Sequence, residues 1–314
     1  MWRVLLGLAW LVPSLWVWVT RAGVVVAGHP AYPLLVGLAT VVGAVLLLFG
    51  ARDLTGRGQV RGRRRWVVVG GRALAAILCL ATVGSIVYLR PFGATDDALG
   101  AMKGTDTVSV TSTSTRITLT PRSAAGTSSP TIQSGLVFQP GARVDPRAYV
   151  PLLSPISAAG VLVVIVKQPF SIGFTATGAP TGIIQDHPEV ANWSVGGHSL
   201  GGVAASSYVK DHPDQVDGLL LWASYPLGSL AGLDHVAVTS IYGTEDGLAT
   251  PEDIKDSRAD LPPDTSYVAV DGGVHAFFGD YGEQPGDGTP TVSREQAQTE
   301  IVDASIALVT TAGR

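Results

Sequence analysis

Cysteine is almost missing from this chain: Cys79 is the only one among 314 residues. No disulfide can form within the chain, and no thiolate-rich metal site can be built. Charge is scarce too, with Asp, Glu, Lys and Arg making up 15 % of the sequence, against about 25 % in ordinary globular domains. Acidic residues barely occur in the first part. Residues 1–92 hold ten arginines and one acid, Asp53, so that part carries +9 and the remainder −13. The acidic remainder offers no basic patch to a phosphate backbone, which excludes nucleic acid as a partner. No metal and no cofactor are expected.

Apolar residues are plentiful: 46 % of the chain is hydrophobic and the mean hydropathy is +0.32. Three apolar stretches precede residue 92, at about Val4–Val19, Pro33–Phe49 and Trp66–Leu89. A helix crossing the hydrocarbon of a bilayer needs roughly 20 mostly apolar residues, and each stretch reaches or approaches that length. Trp2, Trp16, Trp18, Trp66 and Tyr88 lie near the segment ends, where amphipathic rings prefer the membrane interface. Between the second and third stretches come Arg52, Arg57, Arg61, Arg63, Arg64 and Arg65. Under the positive-inside rule that loop faces the cytoplasm. A cleaved signal peptide is the rival reading of the first stretch, but no small-x-small cleavage site follows it and two more apolar runs do. The expected organisation is a membrane module of three transmembrane helices at 1–92, followed by a domain at 93–314 on the extracytoplasmic side of the cell membrane.

The second part changes character. VSVTSTSTRITLT at 108–120 alternates with period two and is rich in β-branched residues, which predicts one or two strands. Residues around Ser123–Pro130 read as a loop. From Gly135 onward short apolar runs alternate with helical patterns. Strands are expected at Leu136–Phe138, Val161–Val166, Ser194–Gly196, Gly218–Ala223, Val236–Tyr242 and Tyr267–Val270. Helices are expected at Pro146–Ala159, Pro180–Asp186, Leu200–Lys210, Pro251–Asp256 and Ser293–Thr310. Fully apolar strands alternating with helices mean an α/β fold, a mostly parallel sheet with helices on both faces.

The sharpest chemical signal is Gly197-His198-Ser199-Leu200-Gly201-Gly202, directly after a predicted strand. A G-x-S-x-G between strand and helix forms a tight elbow that presents the serine, while the flanking glycines remove Cβ atoms that would clash. A Gly-rich turn whose serine merely caps a helix is the plainer alternative. Serine becomes a nucleophile only with a base to take its proton and an acid to orient that base. Of six histidines, His275 follows the last predicted strand and precedes a Gly-rich loop. His29 lies in the membrane module, His187 before the elbow, His198 beside the serine, and His212 and His235 in polar turns. For the acid, Asp246 lies just past a strand, with Glu245, Asp253 and Asp271 as weaker candidates. Stabilising an oxyanion takes two backbone N–H groups: Leu200, next to the serine, and Ala142, in the Gln139-Pro140-Gly141-Ala142 turn. Asp145 and Tyr149 are placed to line the pocket, though Asp145 also fits a helix N-cap.

The stretches LVFQPGARVDPRAYVPL, VLVVIVKQPF, WSVGGHSLGG, GLLLWASYP, SIYGTEDGLATPEDI and DGGVHAFFGDYG together resemble the α/β-hydrolases, in a small bacterial branch akin to dienelactone hydrolases. The resemblance spans roughly Ala98–Ala312. It implies an α/β-hydrolase fold preceded by transmembrane helices, the triad Ser199, Asp246 and His275, and backbone donors at Ala142 and Leu200. Two positions depart from the pattern: Val274 stands where Asn is expected, and Ala142 where a second small residue such as Gly is expected. The implied activity is hydrolysis of a small acyl ester through an acyl-enzyme on Ser199. Acyl transfer to envelope hydroxyls and a non-catalytic tethered scaffold are the alternatives. The segment before Asp246 is too short for a large lid, and Phe170, Phe174, Trp222, Tyr225 and Phe277 are candidates for an acyl pocket.

Overall fold

The computed structural model describes residues 1–54, 65–122 and 132–313. The expected loop at 123–130 and the arginines Arg57, Arg61, Arg63 and Arg64 lie outside those residues. The described chain divides into two units, Met1–Pro91 and Phe92–Arg314.

The first unit consists of helices α1 (Trp2–Ala27), α2 (Ala31–Leu54) and α3 (Arg65–Tyr88). Each is long and apolar enough to cross a membrane. Pro13 lies inside α1 without ending it, and the helix runs on to Ala27 past a non-helical residue at Arg21. α1 and α2 pack closely through small residues. A Cβ on Gly7 would come within 2.9 Å of the Gly43 carbonyl oxygen, so these backbones approach as the small-residue seams of membrane helices do. The large apolar side chains point outward instead: Leu34 is 70 % exposed and Leu80 is 74 % exposed.

The second unit runs α4 (Asp96–Ala101), β1 (Val108–Ser112), β2 (Arg116–Pro121), β3 (Ser134–Gln139), α5 (Val150–Ala158), β4 (Val161–Val166) and α6 (Ala179–Asp186). It continues through β5 (Asn192–His198), α7 (Leu200–Asp211), β6 (Gly218–Trp222), β7 (Ala237–Gly243), α8 (Pro251–Asp256), β8 (Ser266–Val270) and α9 (Arg294–Thr311). The 108–120 stretch is two strands, which pair antiparallel with Val108 opposite Pro121. The expected single helix at 146–159 instead begins as a 3₁₀ turn at Pro146–Tyr149 and becomes α-helical only at Val150. Pro151 has no N–H for the Arg147 carbonyl, so Val150 donates to it and the tighter turn persists.

The strands form one sheet in the order β1-β2-β4-β3-β5-β6-β7-β8. The six from β4 to β8 are mutually parallel, and the β1–β2 hairpin extends the sheet beyond β4, with β2 antiparallel to both β4 and the edge strand β1. Alternate residues face opposite sides of the sheet, and both sides are covered. Leu136, Phe138, Val163, Ile165 and Trp222 pack with Leu153 and Ile156 of α5 and Ile301 of α9. Val137, Leu162, Val164, Val195 and Leu221 pack on the other side with Ile183 of α6 and Ala205, Tyr208 and Val209 of α7. Trp222 anchors the first layer, with its ring centroid 4.8 Å from Phe138 and its indole N–H donated to Ser305 Oγ at 2.9 Å.

Chain direction around β3 decides where a site can lie. From β3 the chain moves outward to β4, then returns to β5 on the other side and continues to β8. A crevice opens outside the carboxyl ends of neighbouring strands whose connections diverge in this way. Here those strands are β3 and β5.

Candidate active site

Ser199 stands at the carboxyl end of β5 as the residue that caps α7, with φ 53° and ψ −126°. That left-handed backbone is unfavourable for a residue with a Cβ and persists only where its surroundings enforce it. They do so here. The Ser199 N–H donates to the Trp222 carbonyl at 2.9 Å, and its carbonyl accepts from Ser224 Oγ at 2.7 Å. A Cβ on Gly197 or Gly201 would collide with the Gln139 carbonyl, so only glycine lets the elbow fold this closely against β3. The Ser199 side chain sits at the N-terminus of α7, where the helix dipole favours developing negative charge. Among the described residues its hydroxyl makes no hydrogen bond.

Asp246, three residues past β7, and His275, five past β8, lie on separate loops and meet. His275 Nδ1–H donates to Asp246 Oδ2 at 2.8 Å. Asp246 Oδ1 accepts from the N–H groups of Leu248 and Ala249, both at 2.8 Å. A carboxylate is an acceptor throughout that set, which puts the imidazole proton on Nδ1 and leaves Nε2 with its lone pair. Both residues are buried, Asp246 at 3 % and His275 at 1 % exposure. Two of the rival acids are used elsewhere. Asp253 belongs to the capping box of α8, and Asp271 accepts from the Thr244 hydroxyl. The His275 ring centroid lies 4.5 Å from that of His198, the residue next to Ser199. The fold thus brings the imidazole to the elbow.

The two expected oxyanion donors flank the same crevice. Ala142 lies in the turn after β3, and Leu200 opens α7. Neither N–H has an acceptor among the described residues. Asp145 proves to be an N-cap: it accepts from the Arg147 backbone N–H at 3.0 Å and pairs with the Arg147 guanidinium. Tyr149 does not line a pocket as expected. It is fully buried, and burial pushes its hydroxyl well above the usual tyrosine range. Trp222 is likewise wholly core, which removes it from the acyl-pocket candidates. Phe174 and Tyr225 remain exposed near the elbow, at 46 % and 39 %.

Sequence reasoning missed Asp287. Its carboxylate accepts from the N–H groups of Gly247 at 3.3 Å, His275 at 3.0 Å, Ala276 at 2.8 Å and Gly288 at 2.8 Å. One side chain therefore ties the Asp246 loop to the His275 loop. Arg294 holds the same region from α9, donating to the Ala276 and Gly279 carbonyls at 2.6 and 2.8 Å. The only sequence cue for Asp287 was its PGDG setting, which reads as an ordinary turn. His198 is the other buried histidine here. Burial, and secondly the proximity of His275, hold its imidazole well below the usual range, while the His275 backbone acts in the opposite sense. Among the described residues no group of three or more His, Cys, Asp or Glu is placed to hold a metal.

The profile of the alpha/beta hydrolase family matches residues 135–299, more than half of the chain. The protein belongs to the alpha/beta hydrolase family. No curated protein matches it significantly. Solved α/β-hydrolase structures do align with it. The monoacylglycerol lipase of Paleococcus ferrophilus is 16 % identical with a TM-score of 0.43, covering 55 % of this chain and 94 % of its own. A protein assigned as a dienelactone hydrolase from Klebsiella pneumoniae is 13 % identical with a TM-score of 0.46, covering 62 % and 92 %. An esterase of the planctomycete Thermogutta terrifontis is 16 % identical with a TM-score of 0.45, covering 68 % and 96 %. Likenesses this distant say nothing about the substrate of this hydrolase.

Proposed function

We propose that this protein is a membrane-anchored serine hydrolase that cleaves carboxylic esters through an acyl-enzyme on Ser199. The observation that carries the reading is the buried Asp246–His275 pair, joined at 2.8 Å beside a serine held at φ 53°. In the first half-reaction, Ser199 Oγ attacks the ester carbonyl while His275 Nε2 takes the hydroxyl proton. The carbonyl oxygen becomes an oxyanion, received by the N–H groups of Ala142 and Leu200. The tetrahedral intermediate collapses, the C–O bond to the alcohol breaks, and Nε2 returns its proton to the departing alkoxide. Water then attacks the acyl-enzyme in the same way, releasing the carboxylic acid and restoring Ser199. Asp246 fixes the imidazole tautomer and stabilises the imidazolium formed in each half.

The three apolar helices tether this chemistry to a bilayer. With the arginine-rich stretch of sequence between α2 and α3 in the cytoplasm, the chain after α3 emerges on the extracytoplasmic side. Small acyl esters at or near that surface are the substrates. The test is labelling of the full-length protein by a fluorophosphonate probe, together with hydrolysis of a chromogenic acyl-chain series. Both are expected in wild type and abolished in Ser199→Ala; a folded wild type that takes no probe and cleaves no ester overturns the reading. Digestion of the C-terminal unit by protease added to intact cells checks the sidedness. Protection from digestion would reverse the topology.

A further inference from the structure

Two buried groups beside the elbow have no part in the mechanism above, and they touch each other. Tyr149 and His198 are both 0 % exposed. The Gly141 N–H donates to Tyr149 Oη at 2.8 Å, and Tyr149 Oη lies 2.9 Å from His198 Nδ1. The buried Tyr149 proton has no other acceptor among the described residues, so Tyr149 donates to Nδ1 and the imidazole proton of His198 rests on Nε2. That Nε2 is buried without a hydrogen bond of full geometry, and the His275 backbone is the polar group that faces the ring. What the ring supplies is the acceptor at Nδ1.

The ends of this chain of contacts explain its use. Gly141 directly precedes Ala142, and His198 directly precedes Ser199 and Leu200. A Cβ on Gly141 would stand 2.8 Å from His198 Nδ1 and 3.1 Å from Tyr149 Oη, so the turn can sit this close only as glycine. We propose that Tyr149 and His198 form a strut between the turn after β3 and the elbow after β5, fixing the separation of the two oxyanion donors Ala142 and Leu200. They are positioning residues, and the inference rests on the serine-hydrolase reading. Burial keeps both ends of the strut uncharged, His198 far down and Tyr149 far up from their ordinary ranges. The strut therefore persists when the neighbouring His275 ring takes up its proton during the reaction.

Tyr149→Phe deletes one oxygen and leaves the ring in place. It is expected to lower kcat for a chromogenic ester ten- to hundredfold, the scale of a displaced oxyanion donor, with KM changed less than about twofold. His198→Ala is expected to match it, and the double variant to be no slower than either single one. His198→Asn keeps an acceptor near Nδ1 and is expected to restore kcat to within about fivefold of wild type. Additive losses, a loss confined to KM, or no rescue by Asn would overturn the strut. Amide hydrogen exchange of the 139–144 segment in the full-length protein reads the same link without catalysis. Faster exchange in both Tyr149→Phe and His198→Ala supports it, and unchanged exchange overturns it even in an active enzyme. Faster exchange in the variants of a protein whose wild type takes no fluorophosphonate sinks the hydrolase reading, and the strut's catalytic purpose with it.

Discussion

The two halves of the candidate site are finished to different degrees. On the acid–base side both carboxylate oxygens of Asp246 are engaged, and His275 is fixed by its side chain and its backbone. On the nucleophile side the Ser199 hydroxyl and the N–H groups of Ala142 and Leu200 have no partner among the described residues. The contrast is physical. A general base must hold one tautomer and one orientation before substrate arrives, and hydrogen bonds fixed by the fold provide that. Groups that receive a developing charge must instead be held in place with their donors empty, because a donor already satisfied would have to give up a bond to help. Rigidity around the empty donors then has to come from neighbours, which is the work assigned to Tyr149 and His198.

Three measurements would sharpen or break that contrast, beginning with the largest effect. Asp246→Asn keeps an oxygen for the Leu248 and Ala249 N–H groups but favours the wrong tautomer of His275. It should lower kcat about ten-thousand-fold while the fold survives, and a loss below about tenfold would mean that Asp246 does not orient the base. Asp287→Ala removes the acceptor shared by Gly247, His275 and Ala276. It should reduce kcat roughly tenfold at constant KM and stability by about 1–2 kcal/mol, since water can reach part of the vacated site. Unaltered kinetics would show that the His275 loop needs no tie. The smallest effect is a pH dependence. His198 stays neutral in the folded protein well below the usual 6.5. Below that pH the unfolded chain binds a proton that the folded chain refuses, so stability falls as pH drops from 6.5 toward the depressed value. Denaturant midpoints of the full-length protein, compared between about pH 7.5 and about pH 5, should fall less in His198→Asn than in wild type. Parallel curves would contradict a buried neutral imidazole.

Much of the fold was legible in the sequence, because continuous apolar runs such as Val161–Val166 can only be buried strands in a chain that also supplies helices to cover them. That strand has the expected bounds. Other ends shifted where backbone chemistry intervened, as at Pro151, whose missing N–H delays α5. The 108–120 stretch showed its strand character, but not that a hairpin divides it. In the site, the glycines around Ser199 announced an elbow because a positive φ and close packing leave few other residue types possible. The places of Asp246 and His275 just past strands made them the expected acid and base, but their meeting was not legible. Asp287 was not expected, since a carboxylate that caps backbone N–H groups on two distant loops leaves no local pattern. Tyr149 was misplaced for a related reason: its neighbours in sequence say nothing of a contact 49 residues away.

Composition and periodicity by themselves settled that three long apolar helices precede an α/β domain, since hydrophobic run length and the spacing of apolar positions are local properties. They also set the elbow, a matter of backbone geometry within a few residues. Only the tertiary structure decided which acid meets which histidine and which N–H groups stay unpaired. Those outcomes depend on contacts between loops at the ends of different strands, and a one-dimensional pattern carries no distance between them.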